Sequence, residues 1–163
     1  MWTALLVIHI VSGSLGLLAG PAAMLVPKRR GWHTRLGTSY VILVGLLCLA
    51  AIGLAVLRPA DWWLGLIAAA TLAAALTGRE LRRRRPRGWL PWHISLMCGS
   101  YISLVTALLV VGLGLGSPVA WILPSVIGSP LIALRAARVL AAPRTGEAEV
   151  TPKQLSRSHS DLA

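Results

Sequence analysis

A chain of 163 residues that is 56% hydrophobic and only 13% charged, with a mean hydropathy of +0.73, is too apolar for a soluble domain of its size. Its net charge of +11 would suit a nucleic-acid binder if the basic residues covered a globular face. They fall instead in short runs between long apolar stretches, which makes them topology signals of a polytopic membrane protein and excludes a nucleic-acid partner.

Crossing a hydrocarbon core of ~30 Å takes about 20 apolar residues, and five segments serve: 2–26, 36–57, 62–78, 91–116 and 119–140. The expected fold is therefore an all-α integral membrane bundle of five transmembrane helices, one domain over 1–141. The first segment lacks a basic n-region and outruns a signal h-region, so it reads as a helix rather than a cleaved leader. Down one side of it run His9, Gly13, Gly16 and Gly20, an imidazole above a groove of bare backbone that invites another helix or a flat cofactor. The third segment is the shortest and the richest in alanine. The fifth carries Pro124 and Pro130, and the first Pro21, each of which removes an amide donor and allows a kink. The polar stretch 142–163 has no apolar period and reads as a disordered cytoplasmic tail.

Lys and Arg resist translocation, so their distribution orients the chain. With the N-terminus outside, fifteen basic residues lie on the inner side, in the groups Lys28 to Arg35, Arg79 to Arg87 and Arg135 to Arg157, against Arg58 alone outside. The tryptophans agree: Trp2, Trp62, Trp63 and Trp121 fall at outer boundaries, and Trp32, Trp89 and Trp92 at inner ones. The expected orientation in a cytoplasmic membrane has the N-terminus outside and the C-terminus inside. Arg82, Arg83, Arg84, Arg85 and Arg87 are candidates to meet anionic lipid headgroups, although topogenesis alone accounts for such a run.

Three histidines are candidates for chemistry. His9 lies about 10 Å below the outer surface at 1.5 Å per residue, while His33 and His93 sit at the inner boundary. Each is followed four residues on, hence on the same helix face, by Gly13, Gly37 and Met97 respectively, and the face of His93 continues to Ser100 with Tyr101 beside it. Imidazoles projecting between helices can ligate iron or copper, and bare glycines make room for a porphyrin. Axial nitrogens about 4 Å apart across one iron exclude His9 as a partner of His93, which lies most of the core thickness away. His33 and His93 can share one metal if the second helix meets the fourth at the inner face. The alternative is that the histidines only tie helices together, at roughly 1 kcal/mol per bond.

All five carboxylates, Asp61, Glu80, Glu147, Glu149 and Asp161, lie in loops, turns or the tail, so no intramembrane acid supports a proton- or sodium-coupled transporter. Ser100, Ser103 and Thr106 lack a paired base and orienting acid, which argues against an intramembrane hydrolase.

The stretch HIVSGSLGLLAGPAAMLVPKRRGWHTRLGTSY, from His9 to Tyr40, and the block WHISLMCGSYISLVTALLV, from Trp92 to Val110, resemble a family of predicted bacterial multi-pass membrane proteins of unknown function. That resemblance implies a polytopic protein in which His9, Gly13, Gly20, His33, Gly37, His93, Met97, Ser100 and Tyr101 form the motif. The histidine-bearing helices are also loosely similar to those of membrane b-type cytochromes. The expectation is one haem b or redox metal near the inner face, exchanging electrons with a membrane quinone or partner. The alternatives are a non-catalytic accessory subunit and a carrier of a small neutral solute.

Overall fold

In a computed structural model of the chain, residues 1–27 and 31–141 are described, without the side chain of Asp61. The tail expected over 142–163 and the basic residues Lys28, Arg29 and Arg30 lie outside the described residues. Five helices follow one another: α1 Trp2–Leu25, α2 Trp32–Leu57, α3 Trp62–Arg84, α4 Trp89–Leu113 and α5 Pro118–Ala141, with a single 3-10 turn, Pro59–Asp61, between α2 and α3. All five are long and apolar enough to cross a membrane.

Local chemistry sets their ends. Gly31 at φ 129° and Gly88 at φ 72° take backbone conformations that only glycine adopts cheaply, and a helix begins immediately after each. α2 thus starts at Trp32 rather than at residue 36, because nothing between Trp32 and Arg35 opposes helix once Gly31 has turned the chain. α3 runs past residue 78 to Arg84. Glu80 there bonds Arg84 one turn on at 2.6 Å, and basic residues in a last turn complement the helix dipole. α4 tolerates Pro91 in its first turn, where no helical donor is lost, and stops at Leu113 before Gly114. Pro118 opens α5, and Ser117 Oγ accepts from the Ala120 amide at 3.4 Å.

α1 to α4 form a ring in which successive helices are neighbours and α4 touches α1 more lightly. α2 and α4 are therefore diagonal, and α5 packs on α4 outside the ring. Most of the core comes from α2, whose Tyr40, Val41, Val44 and Cys48 meet Ala68 and Ala75 of α3 and Leu104 of α4, with Leu17 and Ala19 of α1 against them. Large apolar side chains point outward all round, among them Val7, Ile42 and Leu131, each more than half exposed. That inside-out balance suits hydrocarbon as solvent. The end where α1, α3 and α5 finish and α2 and α4 begin, the basic end, carries the arginines of α3 and α5.

Candidate functional site

His33 is the second residue of α2 and His93 the fifth of α4, so both stand at the basic end on diagonal helices. Each ring is held in the same way. His33 Nδ1 donates to the Ala23 carbonyl of α1 at 2.8 Å, and His93 Nδ1 donates to the Gly78 carbonyl of α3 at 2.7 Å. A carbonyl can only accept, so Nδ1 carries the proton in both rings and Nε2 is the nitrogen with the electron pair. The Trp89 ring lies 5.8 Å from that of His93, centroid to centroid.

Seven residues beyond each histidine the diagonal closes. The Tyr40 hydroxyl meets Ser100 Oγ at 2.9 Å with both residues buried, and Ser100 donates its single hydroxyl proton to the Met97 carbonyl at 2.8 Å. Tyr40 is therefore the donor of the pair. Beside them, Tyr101 reaches over Gly20 to bond the Leu17 carbonyl of α1 at 3.3 Å.

The glycines show where room exists. A Cβ at Gly20 would lie 2.5 Å from the Tyr101 ring, one at Gly16 would lie 3.2 Å from Leu104, and one at Gly13 would lie 3.2 Å from Leu47. The groove along α1, expected to take another helix or a flat cofactor, is thus filled by side chains of the helices α2 and α4. Met97 occupies Gly78 in the same manner, its Sδ 3.1 Å from where a Cβ would stand. Gly37 differs: a Cβ there would meet nothing within 4 Å, so the side of α2 one turn from His33 is open.

His9 stands toward the opposite end, its ring against the backbone of Leu47, with Nδ1 buried and lacking a hydrogen-bond partner among the described residues. It is not brought to the other two histidines. Among the described residues no three His, Cys, Asp or Glu side chains cluster in a way that could hold a metal ion. On the rim, Arg82 donates to Thr34 of α2 at 2.8 Å, Arg83 and Arg84 lean on Glu80, and Arg85 lies over Trp89.

Two features escaped the sequence reading. Tyr40 was not singled out, and neither was a repeat: Gly31-Trp32-His33 with Ser39-Tyr40 recurs as Gly88-Trp89, Trp92-His93 and Ser100-Tyr101. The hairpins α1–α2 and α3–α4 are built alike, each turning at a positive-φ glycine and each bonding a histidine back to the preceding helix. The signal was available in the WH and SY dipeptides at nearly equal separation.

No curated protein and no solved structure matches the chain. A family described as a predicted membrane protein (DUF2306) matches residues 6–141, which takes in α2 to α5, α1 but for its first four residues, and every site residue above. The chain belongs to that family of predicted membrane proteins of unknown function.

Proposed function

We propose that the protein holds one b-type haem at the basic end of its four-helix ring, where His33 and His93 would supply ligands to its iron, and exchanges single electrons with a membrane partner. The observation that carries this reading is the shared state of the two rings. They stand on diagonal helices, each seven residues from the Tyr40–Ser100 bond, and each is oriented by an Nδ1–H bond to a backbone carbonyl. Second bonds of that kind fix the tautomer and plane of metal-bound histidines. Two imidazoles with no third His, Cys, Asp or Glu clustered beside them among the described residues suit an iron whose remaining ligands come from a porphyrin better than they suit a bare ion. The open side of Gly37 provides room beside His33, and Gly13 and Gly20 do not contribute to it. When bound, the haem supplies one-electron chemistry; the chain supplies ligands and an apolar surround.

The basic end faces the cytoplasm of a bacterial inner membrane in this reading, supported by the inner-side excess of Lys and Arg. The rim Arg82 to Arg87 then lies at the depth of anionic headgroups. A second reading, an accessory subunit in which the motif only packs helices, is favoured by the way Tyr101 and Met97 fill Gly20 and Gly78. The reduced-minus-oxidised visible spectrum of the purified protein, expressed with haem precursor supplied, separates the two. A sharp α-band lost in His33→Ala and in His93→Ala supports the haem; a flat spectrum from folded wild-type protein leaves the packing role.

A further inference from the structure

Six arginines stand between Arg79 and Arg87 against one carboxylate, Glu80. The stretch 142–163 does not offset them, since its three acidic residues match its three basic ones. Glu80 is taken up by Arg84 at 2.6 Å and more loosely by Arg83 at 3.9 Å, and both arginine side chains remain largely exposed. Neither α2 nor α4, which begin at this end, has an acidic residue in its first turn. Topogenesis asks only that positive charge lie on one side of the membrane. It calls for arginine at no particular position, and one of these positions is costly.

Arg85 has φ 50°, the only positive φ outside glycine among the described residues. Its amide closes α3 on the Leu81 carbonyl at 2.8 Å, at a left-handed helix end that glycine fills without strain. The arginine placed there lays its guanidinium over the Trp89 ring, 5.9 Å from the centroid. On α2, Arg35 lies over Trp32 at the same distance. Trp32 and Trp92 are 68% and 66% exposed at this end, and exposed indoles settle at the headgroup level of a bilayer. Guanidiniums stacked on the indoles of this belt are held at that depth, where the anions at hand are lipid phosphates.

We propose that this rim is a binding site for anionic phospholipid, in which the exposed guanidiniums of Arg83, Arg85 and Arg87 donate to the phosphate oxygens. A guanidinium presents paired N–H donors that match two oxygens of one phosphate. The excess of arginine over carboxylate favours a headgroup of net negative charge over a zwitterionic one. Neither His33 nor His93 takes part, so the site stands whether or not haem is bound.

The test counts the lipids retained by the purified full chain in dodecyl maltoside, by native mass spectrometry, with dioleoylphosphatidylglycerol and dioleoylphosphatidylcholine supplied in equal amounts. No insertion step takes place in detergent, so a topogenic role does not contribute. The expected result is a preference of roughly tenfold for phosphatidylglycerol in the wild type. Arg85→Gln/Arg87→Gln removes most of it, whereas Arg135→Gln/Arg138→Gln, which takes two charges from α5 at the same end, leaves it in place. Arg85→Gly relaxes the backbone, so it melts no lower than wild type while retaining less phosphatidylglycerol. Equal retention of the two lipids by the wild type overturns the proposal. So do equal losses in the two double variants, which mark a diffuse field, and an Arg85→Gly chain that melts lower, which makes Arg85 a brace for Trp89. Displacement of the lipid by inorganic phosphate beyond a chloride control of equal ionic strength overturns it as well, because the site would then be one for a soluble anion.

Discussion

The bare backbone at Gly20 lets Tyr101 lie between α1 and α4 and reach the Leu17 carbonyl. These two helices touch more lightly than the other neighbours in the ring, so the aromatic ring closes a gap that helix packing alone leaves. Replacing Gly20 with valine puts branched carbon where the ring stands. The expected cost is about 1–3 kcal/mol, the range for overpacking a filled site, read as a lowered thermal midpoint in detergent. Tyr101→Ala in the Gly20→Val background should recover part of that loss. If Gly20→Val alone melts like wild type, Tyr101 does not fill the groove.

The helices themselves were legible because a membrane span is a matter of length and composition, and all five segments appear where apolar runs predict them. Their ends were less so. Residues 79–84 read as a polar loop, yet they continue α3 because arginine and glutamate are good helix formers and the Glu80–Arg84 pair supports the last turn. The site was legible in its parts and not in its pairings. His33 and His93 stood out as polar groups at a membrane boundary, whereas the Tyr40–Ser100 contact depends on α2 and α4 being diagonal, which no local pattern reveals. Likewise Gly78 gave no sign that it would receive both His93 and Met97, since the short link from α3 to α4 makes the two helices neighbours without fixing which residues meet. That α3 crosses the membrane is checked by single cysteines at Ala60 and Arg83, with Cys48 and Cys98 replaced by alanine. In intact cells an impermeant maleimide should label Ala60→Cys, and Arg83→Cys only after permeabilisation. Labelling of both from the same side would contradict five spans.

At the scale of the molecule, two similar hairpins pair to form a ring, and a fifth helix lies against one of them. The repeat places equivalent histidines at one end of diagonal helices, while the unrepeated α5 lies on the outer side of α4. The charge that marks the basic end sits on the same side as the histidines, so a redox centre there would lie near one membrane surface rather than at mid-depth. His9, toward the other end, belongs to neither feature. In the proposed function two imidazoles, one from each hairpin, share one iron. Electron paramagnetic resonance of the oxidised, purified protein tests it most directly. The expected result is a low-spin haem signal in the wild type, which becomes high-spin or disappears in His33→Ala and in His93→Ala but persists in His9→Ala. A haem signal unchanged by both inner substitutions, or no haem signal from folded protein supplied with haem, would contradict it.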